Sequence, residues 1–288
     1  MECSLCPRFC NVDRRTEYGY CNSHSEATVS RAALHFWEEP CISGKSGSGT
    51  VFFCGCNLGC VFCQNHKISR GETGVRVSPQ RLKELYNMLK EQGANNINLV
   101  TPSHFIEPIL ESLNEPVGVP VVWNSSAYER VEQIERLRGK VNIFLPDLKY
   151  SDSALALKYS GAPDYFEIAK RAILKMYDMV GGYEIRNGIM QKGLIIRHLI
   201  LPDAVENSLR VIDWVASTFE GKKIKFSLMS QYTPYIETPY EELSRRITKE
   251  EYEYITDYLE AFGYTDGYTQ ELSSAKEEYT PDFDLTGV

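Results

Sequence analysis

The sequence has no apolar run approaching the roughly 20 residues that cross a bilayer, so no membrane span is expected. It has no excess of positive charge. With 31 Lys and Arg against 39 Asp and Glu the formal net charge is −8, and nothing points to a nucleic-acid surface. No basic stretch followed by apolar residues opens the chain, which begins Met-Glu-Cys-Ser-Leu-Cys; no secretory signal is read, and a reducing cytoplasm is the expected compartment. Beyond Cys63 there is no cysteine at all. All nine crowd the first 63 residues, unlike a disulfide framework spread through a small secreted domain, and thiolates bound to metal are expected instead. Without secretion the glycosylation-type triplet Asn124-Ser125-Ser126 has no consequence. Gly44-Lys45-Ser46 lacks the upstream glycine of a phosphate loop, because Glu39 stands there, and a strand rather than a helix follows.

What is present is concentrated in one loop. Residues 56–63 read Cys-Asn-Leu-Gly-Cys-Val-Phe-Cys. Fe–S clusters are normally tied by four thiolates, so three on a short loop suit a [4Fe–4S] cluster with one iron left open. Zinc, or simply buried thiols, is the plain alternative. Cys54, two residues earlier, reads as a small buried hydrophobe rather than a ligand. A second set, Cys3-x2-Cys6-x3-Cys10-x10-Cys21, has four thiols that suit tetrahedral zinc or an auxiliary [4Fe–4S] cluster, with no metal as the third reading.

From Gly49 onward short apolar β-type runs alternate with helical patterns. Strands are expected at 50–53, 97–100, 119–123, 141–145, 194–200 and 224–229. Helices are expected at 79–92, 106–113, 129–137, 163–180, 204–219 and 249–262, the last capped by Thr248 with Glu251 completing a capping box. Apolar strands alternating with helices indicate a parallel sheet covered on both faces. Six such units with right-handed crossovers make an α/β fold, a partial (β/α)6 barrel of TIM type, with a flat doubly wound sheet as the alternative. Three regions follow: a cysteine-rich N-terminal element over 1–48, the barrel over 49–262, and a C-terminal tail over 263–288.

In parallel α/β folds chemistry collects at the carboxyl ends of strands. The cysteine loop leaves the first strand there. Thr101, Ser103 and His104, then Asn124, Ser125 and Ser126, then Asp147 and Lys149 leave the next three at the same edge. Asp147 and Lys149 share a face by period two. Arg197 and His198 are adjacent in the fifth strand and face opposite ways. A charged arginine there needs an anion, either a carboxylate of a ligand or one of the barrel such as Asp147. His66 and His104 line the cleft at most as structural groups. The tyrosines Tyr252, Tyr254, Tyr258, Tyr264, Tyr268 and Tyr279 read mostly as a helix face and a surface tail, with a cap on one end of the barrel as the alternative and no chemistry following from either.

Several segments together resemble one family: radical S-adenosylmethionine (radical SAM) proteins related to pyruvate formate-lyase activating enzymes, in the branch often labelled PflX-like. They are Cys-Ser-Leu-Cys-Pro-Arg-Phe-Cys at the start, Phe-Trp-Glu-Glu-Pro at 36–40, the cysteine loop with its flanks at 52–65, Asn-Leu-Val-Thr-Pro-Ser-His-Phe at 98–105, Leu-Pro-Asp-Leu-Lys-Tyr at 145–150 and Ile-Arg-His-Leu-Ile-Leu-Pro at 196–202. The resemblance implies that Cys56, Cys60 and Cys63 hold a [4Fe–4S] cluster whose open iron takes the methionine end of S-adenosylmethionine. It implies Phe62, Ser103, Asn124, Asp147, Lys149 and Arg197 as the cofactor's surroundings, Asp147 and Lys149 matching an Asp-x-Lys feature of glycyl-radical activases. It departs where such activases carry Gly-Gly-Glu; here Thr101-Pro102-Ser103-His104 stands, so methionine recognition passes to other groups, Ser103 among them. The implied chemistry is an electron from a flavodoxin- or ferredoxin-type reductant, cleavage of S-adenosylmethionine to a 5′-deoxyadenosyl radical, and hydrogen abstraction. Three readings follow: activation of a glycyl radical enzyme, direct action on a small molecule or peptide, or a non-catalytic metal-binding or electron-transfer protein.

Overall fold

A computed structural model of the chain describes residues 2–70, 73–263, 266–272 and 280–288. Its strands are β1 (Ala27–His35), β2 (Ser48–Phe53), β3 (Val75–Val77), β4 (Ile97–Val100), β5 (Val121–Ser125), β6 (Ile143–Pro146), β7 (Glu184–Arg186), β8 (Ile189–Leu199), β9 (Lys225–Met229) and β10 (Gly267–Thr269). Its helices are α1 (Pro40–Ser43), α2 (His66–Ser69), α3 (Pro79–Glu91), α4 (Ile106–Ser112), α5 (Val131–Glu135), α6 (Ser153–Ser160), α7 (Tyr165–Val180), α8 (Val205–Thr218) and α9 (Lys249–Ala261). The six expected strands are β2, β4, β5, β6, β8 and β9, neighbours in that order and parallel throughout. The fold is the expected α/β partial barrel. No helix among the described residues is long and apolar enough to cross a membrane.

Period-two alternation explains how these strands serve two cores at once. Val51, Phe53, Leu99, Trp123, Phe144, Leu194 and Ile196 face outward and pack beneath the helices. The intervening Val122, Ile143, Leu145 and Ile195 face inward, onto Cys41 and Ile42 of α1, which plug one end of the barrel. Above that plug Phe52, Cys54 and Val100 pack with Ile68 and Phe283. The outer helices form for local reasons. Ser78 caps α3 by accepting from Arg81 N–H, Pro79 occupies its first turn, and Leu82, Leu85, Tyr86 and Leu89 bury at helical spacing. The Thr248–Glu251 capping box of α9 is present as expected.

Two expected boundaries are not structural ones. β1 pairs antiparallel with β2, so residues 27–35 belong to the barrel's sheet rather than to a separate N-terminal element. The expected tail supplies β10, a seventh parallel strand beside β9. Residues 284–286 then lie along β1, with Ala32 N–H donating to Thr286 O at 2.9 Å and Leu285 N–H to Ser30 O at 3.1 Å. Of the tyrosines, Tyr264 and Tyr279 fall outside the described residues.

Candidate active site

β2 delivers the cysteine loop. The chain turns at Gly55 with φ of +80°, and a Cβ there would lie 2.1 Å from Ser23 Oγ and 2.4 Å from Cys21 O, so glycine is required twice over. Neighbours then pin the loop. Cys56 N–H donates to Cys21 O at 3.1 Å and Val61 N–H to Tyr159 O at 2.9 Å. Asn57 Nδ2 donates to Tyr128 O at 2.7 Å, and Leu58 is wholly buried. Tyr150, Tyr159 and Tyr232 stand edge-on around Phe62 at 6.4, 6.1 and 6.1 Å between centroids. Cys56, Cys60, Phe62 and Cys63 thereby line one cavity of about 490 Å³. Burial pushes the Cys63 thiol up to about 12, with Cys60 and Cys56 adding to it; burial also raises Cys60, against the pull of Lys149. Three thiols on one short loop facing one cavity supply the donor set that fits an iron–sulfur cluster with one iron left open.

The opposite wall is polar. Arg197 rises from β8 into the cavity, and Nε meets Asp147 Oδ1 at 2.7 Å, Nη1 meets Glu38 Oε2 at 3.0 Å, and Nη2 meets Asn124 Oδ1 at 2.6 Å. Lys149 Nζ takes Asp147 Oδ2 at 2.7 Å. Burial pushes the Asp147 carboxyl up, but Arg197 and Lys149 outweigh it and hold it below its usual value. Asn124, Asp147, Lys149 and Arg197 thus join the three cysteines in one cavity. Of the two anions weighed for Arg197, the barrel's own carboxylates are the ones it meets. His198 turns outward as expected, Nδ1–H donating to Leu148 O at 2.7 Å and Nε2 accepting from Ser208 at 2.9 Å.

Ser103 is a correction. It lies away from the cavity wall, and its hydroxyl donates to Glu129 Oε1 at 2.7 Å. Glu129 also receives Trp123 Nε1 at 2.8 Å and Ser125 Oγ at 2.5 Å, and α5 starts only at Val131, after Arg130 in extended conformation. His104 is structural, its Nε2 2.8 Å from Cys54 O, and His66 opens α2 outside the cavity lining. Glu38, Glu39 and Ser227 line the cavity and were not given a role from the sequence, and Tyr268, read there as surface tail, lines it too from β10. The available signal was two adjacent carboxylates between Trp37 and Pro40 in an otherwise apolar stretch.

Residues 50–189 match the family described as the radical SAM superfamily. Over 271 residues the chain is 31% identical to the uncharacterized protein MJ0674 of Methanocaldococcus jannaschii, covering 90% of this chain and 75% of that protein. The chain belongs to the radical SAM superfamily. A domain of a pyruvate-formate lyase-activating enzyme from Bacteroides vulgatus overlays 67% of this chain and 91% of its own at 14% identity, with a TM-score of 0.38. An overlay that loose carries no chemistry from one protein to the other. Membership itself implies a [4Fe–4S] cluster and S-adenosylmethionine.

A radical SAM loop needs a support, and here the N-terminal element is packed directly against it. Arg8 Nε donates to Asn57 O at 2.8 Å and Nη2 to Leu58 O at 3.1 Å, both inside the cysteine loop. The same guanidinium reaches Gly161 O at 2.5 Å and Ser160 O at 2.8 Å, at the end of α6. It lies 3.9 Å over the Tyr20 ring, beside Cys21. Burial pushes Cys6 up to about 12, with Cys21, Cys10 and Cys3 adding to it. Tyr20 N–H donates to Cys10 Sγ at 3.2 Å. Among the described residues no three Cys, His, Asp or Glu side chains are gathered as ligands of a single ion. A cluster spreads its thiolates over separate irons, whereas zinc draws them to about 2.3 Å from one centre.

Proposed function

We propose that Cys56, Cys60 and Cys63 hold the [4Fe–4S] cluster of a radical SAM enzyme that acts directly on a small molecule or an exposed peptide side chain. The observation that carries this reading is the convergence of the three loop thiols with Asp147 and Lys149 on one cavity. The cluster and S-adenosylmethionine supply the chemistry: reductive cleavage to a 5′-deoxyadenosyl radical, which takes a hydrogen atom from the substrate. The protein's own residues bind, orient and exclude water. Phe62 and its ring of tyrosines keep the loop dry, while Asp147 and Lys149 offer an acid and a base to the amino and carboxylate ends of a bound amino acid. A flavodoxin- or ferredoxin-type protein is the reductant in this reading. Direct action is preferred over activation of a glycyl radical enzyme because Thr101-Pro102-Ser103-His104 stands where such activases carry Gly-Gly-Glu.

Anaerobic reconstitution with iron and sulfide, then dithionite and S-adenosylmethionine, tests it. About four irons and one zinc per chain with 5′-deoxyadenosine formed is the expected result if the N-terminal thiols hold zinc; about eight irons would mean a second cluster there. Cys60→Ala is expected to abolish 5′-deoxyadenosine while leaving the circular dichroism spectrum intact. Unchanged product from that variant would sink the assignment.

A further inference from the structure

The cavity has a second end, away from the cysteine loop. β1 runs antiparallel to β2, so the segment after β1 arrives at the barrel end opposite the loop, and α1 plugs the barrel there with Cys41 and Ile42. Glu38 and Glu39 sit just before that plug and both line the cavity. Glu38 is fully engaged. Its Oε2 takes Arg197 at 3.0 Å, and its Oε1 takes Asn98 Nδ2 at 2.8 Å and Asn124 Nδ2 at 3.3 Å. Glu39 is different: it is 8% exposed, and although the Ser227 hydroxyl bonds its carboxyl, Oε2 is buried with no hydrogen-bond donor. Asn98, having spent its Nδ2 on Glu38, also leaves Oδ1 buried without a donor. Both orphans are acceptors, and buried acceptors in folded proteins are nearly always satisfied.

The nearest cation, Arg197, makes its hydrogen bonds to Asp147, Glu38 and Asn124 and none to Glu39, on which it acts through charge alone. Among the described residues lining the cavity, the carboxylates Glu38, Glu39 and Asp147 outnumber Lys149 and Arg197. His35 adds no charge near neutral pH, because burial lowers it to about 4. Burial pushes the Glu39 carboxyl up while Arg197 pulls it down, so an incoming cation would be welcomed by a group otherwise costly to ionise. Trp37 and Tyr268 also line the cavity, and Lys225 Nζ already lies 5.4 Å from the Tyr268 ring centroid.

We propose that this deep end is a subsite for an alkylammonium group of the substrate, held by Glu39 Oε2 in the barrel interior. The proposal rests on the cavity being the radical SAM active site and names the class of substrate it takes: an aliphatic primary amine, free or as a lysyl side chain. S-adenosylmethionine's own amino group is not this ligand, since the open iron that takes the methionine end belongs to the cysteine loop at the other end of β2.

Calorimetry on the reconstituted, S-adenosylmethionine-loaded protein under argon tests it with n-butylammonium and Nα-acetyl-lysinamide as probes. 1-Butanol and Nα-acetyl-norleucinamide serve as their uncharged counterparts. Saturable binding of an ammonium probe is expected, with its neutral counterpart and the Glu39→Gln variant each about tenfold weaker or more. Preference for n-butylammonium would mark a free amine, and preference for the lysinamide a peptide side chain. Equal binding of charged and neutral probes, equal binding by Glu39→Gln, or no saturable binding of either ammonium probe would overturn the subsite. Iron content and melting temperature check the variant; should Glu39→Gln fail to load iron, the charged-against-neutral comparison on the unaltered protein decides alone. 5′-Deoxyadenosine is read from the same samples. Its formation without amine binding overturns the subsite only, and amine binding without it overturns the radical reading only.

Discussion

Arg197 joins two levels of the cavity, with Asp147 toward the cysteine loop and Glu38 toward the plug. Its cost of burial is met because every nitrogen has an acceptor, which is the condition under which a buried charge is tolerated. His198, its neighbour in β8, shows the opposite solution: a neutral ring, donating through Nδ1 and accepting through Nε2, with no room for a second proton. Burial lowers it to about 4, the Leu148 carbonyl opposing in part. The sign follows directly. Below the unfolded value of about 6.5 the unfolded chain binds a proton that the folded chain refuses, so this residue removes stability as pH falls from about 6.5 to about 4. At the low end the loss is roughly 3 kcal/mol. Urea denaturation at pH 7 and pH 4.5 is expected to show a smaller stability difference for His198→Asn than for the unaltered chain. An identical difference in the two would mean that the ring is protonated in the fold.

At the scale of elements, the six parallel strands were readable because burial on both faces demands unbroken apolar runs, and their order followed from short right-handed crossovers. β10 was not, being three residues of Gly-Tyr-Thr with no pattern to detect, and β7 is fully exposed. β1 carries Ser30 and Arg31 in its middle, which blunts its alternation. α6, capped by Asp152, went unread because its short, nearly uniform apolar sequence lacks a clear polar face. In the site, the cysteines, Asp147, Lys149 and Arg197 were readable from spacing and strand register. The Arg8 contacts were not, since a guanidinium bonding four backbone carbonyls across 49 to 153 residues leaves no local trace. Arg8→Ala would leave those carbonyls unbonded and loosen the cysteine loop from α6. The reconstituted variant is expected to lose iron to a chelator several-fold faster and to shift the electron paramagnetic resonance spectrum of its reduced cluster. Arg8→Lys, a point charge without the fork, should recover little of either. A spectrum and iron-loss rate matching the unaltered protein would show that the loop holds itself.

For the whole molecule, the decisive arrangement is that both ends of the described chain pack on the barrel beside the neighbouring strands β1 and β2. The N-terminal element packs on the cysteine loop through Arg8 and Cys21, while residues 281–288 return to β1. Arg31 meets Asp284 at 2.9 Å, and Phe283 packs edge-on against Phe52, 5.5 Å between centroids, inside the upper core. Phe52 and Pro281 both line the cavity, so the C-terminal segment is part of its wall. The surface ion pair contributes little on its own. Phe283 is the anchor, and Phe283→Ala should destabilise the fold by about 2–3 kcal/mol, somewhat less than a fully buried phenylalanine would, because the ring is only partly buried. The same change thins the wall behind Phe52 and admits solvent to the cavity. Air exposure of the reconstituted variant is therefore expected to bleach its iron–sulfur absorbance several-fold faster than in the unaltered protein, at a temperature where both remain folded by circular dichroism. Equal bleaching with lowered stability would make the segment a clasp on β1 alone. Faster bleaching at unchanged secondary structure would make it a wall of the site, which goes beyond the end cap that its tyrosine-rich composition offered, since polar turn residues carry no pattern that would place them.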